Sequence, residues 1–334
     1  MTYLITGGAG FIGSHLADRL IDDGHRVRVL DDLSTGRRAN IAPLEARDAF
    51  TFTTGSVLDE ELLDREIGAC DRVVHLAAAV GVKRILDRPV ETIHTNVDGT
   101  KNVLRRAADE QKKVLLASTS EVYGKAMQEN EDLEALSETD NWTLGTTSKR
   151  RWAYACTKAM DEFLAQAYHD EHGLPVVCAR FFNTAGPRQS GQYGMVIPTF
   201  VERALSGQPL EIHGDGTQTR CFTHIDDAVA SVVQLLQSPA AEGEVVNIGQ
   251  PTEISINELA ERILEMTGSG AAVRHVPYEE VYGDGFEDMK RRTPDCSKLT
   301  ELTGYEPQRT VDDILRDVIA EVRAEKDEEA EAAA

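Results

Sequence analysis

Three glycines, Gly7, Gly10 and Gly13, lie where a short apolar run, Thr2–Thr6, meets an amphipathic one, Ile12–Asp23. A chain that passes from strand to helix in so few residues needs glycine for the turn. The missing side chains also let a pyrophosphate reach the backbone and let helix pack against strand, while the helix start offers unpaired N–H groups to an anion. Gly7, Gly10, Phe11, Ile12 and Gly13 are therefore expected to cradle a dinucleotide. The spacing is G-x-x-G-x-x-G rather than G-x-G-x-x-G, and a glycine turn alone is weak support. Its weight comes from context. Asp31, followed by Asp32, ends the next apolar run, close to the roughly 20-residue offset expected of a ribose-binding carboxylate. An acid there repels a 2′-phosphate and favours NAD over NADP, although Arg37 and Arg38 just beyond leave NADP open.

The alternation continues. Strands are expected at Thr2–Thr6, Arg26–Leu30, Ala49–Thr53, Arg72–Leu76, Lys113–Ala117, Pro175–Arg180 and Glu244–Ile248, several apolar on both faces as buried parallel strands are. Helices are expected at Ile12–Asp23, Glu60–Glu66, Pro89–Asp109, Ala153–Glu171, Val196–Ser206 and Ile225–Gln237. A further helix is expected at Ser255–Thr267, with a capping pair in Ser255 and Glu258. This order predicts an α/β fold: a Rossmann-type doubly wound parallel sheet with a smaller, mostly C-terminal substrate lobe. Residues 1–182 and 223–249 are assigned to the dinucleotide domain, 183–222 and 250–323 to the lobe, and 324–334 to a disordered acidic tail.

Composition narrows the function. With 35 basic against 57 acidic residues in 334, the net charge is −22, and such a surface repels nucleic acid and anionic lipid. No run approaches the roughly 20 apolar residues of a membrane span, and the first residues lack the pattern of a signal peptide. The cysteines Cys70, Cys156, Cys178, Cys221 and Cys296 form no C-x-x-C pair and read as reduced thiols of a cytoplasmic protein. No metal site is expected, and His75, His213 and His224, which lack ligand spacing, read as structural. Cys156, Trp142 and Trp152 are assigned to packing.

Tyr154 and Lys158 stand four residues apart and share a helix face. An ammonium beside a phenol lowers the phenol's pKa from ~10, giving a base able to take a proton from a hydroxyl. Such pairs arise by chance in many helices. Here Ser118, Thr119, Ser120 and Glu121 follow a core strand at its carboxyl end, where α/β sheets bind ligands.

These residues resemble the extended short-chain dehydrogenase/reductase family acting on nucleotide sugars. The likeness runs from Thr6-Gly7-Gly8 to Gly304-Tyr305-Glu306-Pro307. It includes His75-Leu76-Ala77-Ala78, Thr95-Asn96-Val97, Ser118 to Gly124, Arg180 to Thr184, Gly186-Pro187-Arg188, Gly214 to Arg220 and Arg291 to Asp295. The resemblance implies NAD, with Leu76, Ala77, Ala78, Asn96, Ser118, Tyr154 and Lys158 beside it. It also implies a UDP-sugar contacted by Asn183, Arg188, Val196, Arg220 and Arg292, arginine being suited to diphosphate or carboxylate. Thr119 stands where the family's catalytic hydroxyl stands, and Ser120 replaces the acid of sugar 4,6-dehydratases. Thr-Ser-Glu-Val-Tyr-Gly, Arg151-Trp152-Ala153-Tyr154 and the stretch Tyr282–Asp288 before Arg292 resemble UDP-glucuronate decarboxylases. In that chemistry a C4 ketone allows the carboxylate to leave as carbon dioxide, with Glu121 or Arg292 managing the proton at C5. The product is UDP-xylose or its 4-keto pentose. A UDP-glucose or UDP-glucuronate 4-epimerase is the alternative, and a non-catalytic dinucleotide-binding protein the second. Ser56 departs from relatives that place Asp beside the adenine. A homodimer through Pro89–Asp109 and the Tyr154 helix is also implied.

Overall fold

The computed structural model describes residues 1–81, 87–191, 195–282 and 289–333. Seven strands form one sheet: β1 (Thr2–Thr6), β2 (Arg26–Asp31), β3 (Phe50–Thr54), β4 (Arg72–His75), β5 (Lys113–Thr119), β6 (Val176–Phe181) and β11 (Val245–Ile248). Their order is β11-β6-β5-β4-β1-β2-β3, and every pairing is parallel. The expected strands all appear, within a residue or two at their ends. Val, Ile and Leu runs do this because a parallel strand is covered on both faces and needs no polar alternation.

One face carries α1 (Phe11–Asp22) and α6 (Ile225–Gln237), whose Leu16, Leu20, Val229, Val232 and Leu236 pack on Ile5, Val29 and Val177. The other carries α2 (Glu60–Gly68), α3 (Pro89–Asp109) and α4 (Trp152–His172), through Leu63, Val103, Leu104 and Ala165. A separate core gathers Phe200 and Val201 of α5 (Val196–Leu205), Leu259 and Ile263 of α7 (Ile256–Thr267), and Leu315 and Ile319 of α9 (Val311–Ala333). Short strands β7 (Thr184–Ala185), β8 (Leu210–His213), β9 (Thr219–Cys221), β10 (Thr223–His224), β12 (Glu253–Ser255) and β13 (Val273–Val276), and the helix α8 (Ser297–Thr303), structure the stretches that look irregular in sequence. The Ser255–Glu258 pair forms a full capping box. Among the described residues no helix is long and apolar enough to cross a membrane.

Two expectations are corrected. The acidic end does not fray but continues α9 to Ala333. Ala, Glu and Lys are strong helix formers, and Lys326 reaches the Ser206 hydroxyl at 2.9 Å. Cys156, expected in the core, is an exposed free thiol on α4.

Asn247 in β11 joins the sheet to the segments crossing above it. Its amide donates to the Leu136 and Asp295 carbonyls at 2.9 and 3.0 Å, and its Oδ1 accepts the Tyr123 hydroxyl at 2.8 Å. Asn247→Leu strands these buried polar groups and should cost about 2–4 kcal/mol, read as a lower urea midpoint with an unchanged m-value.

Candidate functional site

A cleft of about 1670 Å³ opens over the carboxyl ends of the strands. It is centred where the sheet order reverses between β1 and β4, the place where open parallel sheets bind ligands. Gly7 takes φ +73°, and a Cβ there would lie 2.7 Å from the Ala77 backbone nitrogen. A Cβ on Gly13 would lie 2.5 Å from the Gly7 carbonyl oxygen. Only hydrogen fits at either position, so β1, its turn and the end of β4 close into one bare backbone cradle. α1 begins at Phe11 with no side-chain cap and no acid in its first turn, which leaves its N–H groups and positive dipole end for an anion. The donor set suits a pyrophosphate.

Asp31 is buried at the end of β2. Its Oδ2 accepts the Ala9 N–H at 2.9 Å and its Oδ1 the Leu33 N–H at 2.8 Å, so the carboxylate pins the glycine turn. Burial pushes its pKa up, against the pull of those two N–H groups. Asp32 is exposed and accepts the Ser34 N–H. Leu76, Ala77, Ala78 and Ser118 line the same wall, as does Ser56, whose hydroxyl accepts the Leu58 N–H at 3.2 Å. Asn96 is buried. Its Oδ1 accepts the Ala79 N–H at 2.7 Å and its amide donates to the Thr157 hydroxyl at 3.2 Å, so it holds the segment that lines the cleft.

Tyr154, Lys158, Thr119, Ser120 and Glu121 meet in the middle of the cleft. Thr119 ends β5, accepts the Glu121 N–H at 3.2 Å and hydrogen-bonds the Tyr154 side chain. The Ser118 hydroxyl donates to Glu162, which Arg180 grips with two bonds at 2.9 and 2.7 Å. Glu121 stands between two guanidiniums: Arg292, bonded to its Oε1, and Arg151, 3.4 Å from its Oε2. Arg292 also donates to Asn183 Oδ1 at 3.0 Å. Burial works to raise the Glu121 carboxyl, but the two arginines outweigh it and hold it below the ordinary range.

The phenol behaves differently from expectation. The Lys158 ammonium is 2.8 Å from Asp161 Oδ2, both groups buried. The Tyr154 pKa is raised, first by burial and then by the charges of Glu121 and Asp161, with only the Thr119 bond pulling it down.

The substrate-side candidates face the same cleft. Asn183 and Arg292 are joined as described, and Val196 starts α5. Arg220 donates to the Thr219 carbonyl at 2.8 Å. Arg188, at φ +66°, gives its backbone N–H to Glu321, and one nitrogen of its guanidinium lies 2.7 Å from Asp18 Oδ2. His213 lines the cleft at the end of β8, whereas His75 and His224 are buried structural residues, His224 capping α6. Residues 283–288 of the stretch Tyr282–Asp288 lie outside the described residues. Sequence reasoning missed two groups, the Arg151 side chain and Asp161. The signal for Asp161 was an acid three residues after Lys158, within reach of it on the same helix.

Residues 4–318 match the family model described as GDP-mannose 4,6 dehydratase. A UDP-N-acetyl-alpha-D-glucosaminuronate decarboxylase of Bacillus cytotoxicus is 42% identical over 317 residues, covering 95% of this chain and 96% of its own. UDP-glucuronic acid decarboxylase 1 of Xenopus tropicalis is 35% identical over 327 residues, covering 98% of this chain and 73% of its own. The structure of the UDP-glucuronic acid 4-epimerase of Bacillus cereus, in complex with UDP-glucuronic acid and NAD, superposes with a TM-score of 0.86 at 30% identity. It covers 97% of this chain and 99% of its own.

Beneath the cleft His75 is wholly buried between the Thr6 and Thr100 hydroxyls, at 2.7 and 3.2 Å, and burial with the nearby Lys158 charge lowers its pKa to about 3. Below the ordinary histidine pKa near 6.5, the unfolded chain binds a proton that the folded one refuses, so this residue makes stability fall as pH falls. Between pH 6.5 and 5 the loss should approach about 1 kcal/mol per pH unit. Urea unfolding across that window should show a shallower slope in His75→Gln than in the parent.

Proposed function

Because the chain belongs to the GDP-mannose 4,6-dehydratase family of extended short-chain dehydrogenases/reductases, we propose that it is an NAD-dependent enzyme that oxidises C4 of a UDP-sugar. More narrowly, we read it as a decarboxylase of UDP-glucuronate or of its 2-acetamido counterpart. The observation that carries the narrower reading is Glu121 held by Arg292 and Arg151 beside Thr119 and Tyr154. Its neighbour Ser120 stands where a 4,6-dehydratase carries the acid that dehydration needs, and a hydroxyl is a poor substitute for it. We assign the cofactor to residues 1–182 and 223–249 and the sugar nucleotide to the smaller lobe.

Bound NAD supplies the redox chemistry, accepting hydrogen with an electron pair from C4 and giving them back later. Tyr154 takes the proton of the C4 hydroxyl, and Thr119 bonds the same oxygen. The resulting ketone lies β to the carboxylate. The bond to that carboxylate breaks, and its electron pair passes into an enolate whose oxygen Thr119 and Tyr154 stabilise by hydrogen bonds. Glu121 and Arg292 manage the proton that C5 then takes up. Arg220 and Arg188 suit the diphosphate.

The protein incubated with UDP-glucuronate, and separately with UDP-N-acetylglucosaminuronate, should release carbon dioxide and give a pentose nucleotide by NMR. A C4-inverted hexuronate without gas would overturn the decarboxylase reading in favour of the epimerase. Tyr154→Phe should lower kcat by roughly 10²–10⁴-fold, and unchanged turnover would point to a non-catalytic dinucleotide-binding protein. Glu121→Gln should slow carbon loss more than the appearance of NADH absorbance in a single turnover.

We also propose a homodimer. The helices α3 and α4 pack side by side, and each leaves large apolar side chains exposed: Val90 and Ile93 on one, Met160 and Phe163 on the other. A surface of that kind calls for a partner, and a second copy presents the same stripe. Light scattering should give a dimer mass for the parent and a monomer mass for the double variant Met160→Glu, Phe163→Glu.

A further inference from the structure

The Lys158–Asp161 pair has no part in the chemistry described so far. The two residues lie three apart on α4, with side chains 3% and 0% exposed, at an Nζ–Oδ2 distance of 2.8 Å. Asp161 Oδ1 has no hydrogen-bond partner, and burial pushes this carboxyl up, so the ammonium and the Thr100 hydroxyl from α3 are what favour its charged form. Uncompensated, a buried charge costs several kcal/mol, so each member of the pair constrains where the other can go. Other charged groups around them are already committed. Glu121, from the turn after β5, is held by Arg292 and Arg151. Glu162, next on the helix, is held by Arg180 from β6. His75 from β4 stays neutral. Asp161 is therefore the group that competes with Tyr154 for the lysine's field.

We propose that Asp161 is a positioning residue that holds the Lys158 ammonium away from Tyr154 and so sets how strong a base Tyr154 is. The inference rests on the assignment of Tyr154 as the proton acceptor. The Asp161 charge adds to burial and the Glu121 charge, which come first in pushing the phenol up, although a lysine lies one helical turn away. Whatever draws the ammonium toward the cleft must leave Asp161 uncovered, and Asp161, which burial already pushes up, then takes a proton.

The test begins with the cofactor-free protein carrying tyrosine labelled with ¹³C at Cζ, the Tyr154 resonance being identified by its loss in Tyr154→Phe. Asp161→Asn should move the ionisation of Tyr154 to lower pH by about one pH unit or more. Asp161→Ser removes the same charge with a smaller side chain and carries the test if the first variant does not fold. In a Lys158→Met background the exchange of Asp161 should move Tyr154 far less, because the carboxyl without its ammonium is protonated. In the cofactor-loaded enzyme the acid limb of kcat/KM against pH should shift down with Asp161→Asn. A purely structural role would lower the rate at every pH and leave the limb in place. The proposal is overturned if Tyr154 titrates alike with and without the Asp161 charge, or if the shift is equally large when Lys158 is absent. If Tyr154→Phe stays active while the Tyr154 titration of the otherwise unchanged protein still follows Asp161, the catalytic assignment falls and the coupling stands.

Discussion

The contact on which the molecule is built is the approach of Gly7 to the Ala77 backbone, where the turn after β1 touches the end of β4 with no room for a methyl group between them. These strands are neighbours in the sheet but their crossovers leave in opposite directions, so a trough must form between the loops that follow them. Its floor is bare main chain because Gly7, Gly10 and Gly13 carry nothing to fill it. Asp31 fastens the turn from one side and Asn96 fastens the Ala79 segment from the other. Every reactive side chain is then placed by how far its strand or helix runs into that trough.

Electrostatics inside the trough differ from those outside. The chain carries 22 more negative than positive charges, yet its central cleft gathers Arg151, Arg188, Arg220 and Arg292. Arginine suits such a place because its planar, weakly hydrated fork tolerates burial and satisfies two acceptors at once. Arg292 does this with Glu121 and Asn183. A local positive region in a negative field favours anions shaped to reach it and keeps polyanions from settling elsewhere.

How much of this could be read from the sequence depended on whether a residue's role is local. The seven long strands and the helices between them were legible because apolar runs and glycine turns report burial and backbone shape directly. The small strands β7 to β10, β12 and β13 were not, since two- to four-residue pairings rest on partners distant in sequence, such as Thr223 with Thr184. Composition suggested a loose end where Ala and Glu in fact prolong α9. Of the candidate site residues, Tyr154 and Lys158 stood out by type and spacing, Thr119 and Glu121 by resemblance to a family. The state of the phenol was not, because it depends on Asp161 and Glu121, whose proximity is a product of folding. Asn96 shows the same limit: the motif marks the position, and only the three-dimensional arrangement shows its bond to the Ala79 N–H.

The amide of Asn247 has a consequence for the outer border of the sheet. β11 is the last strand on its side, and such a border invites another chain to pair with it. Here the Asn247 N–H is already taken by the Glu138 carboxylate at 2.7 Å, and Leu136 and Asp295 lie across the same strand. An intruding strand would have to displace a charged side chain and two fixed carbonyls. The same bonds thus leave less of that border open to a strand from another chain.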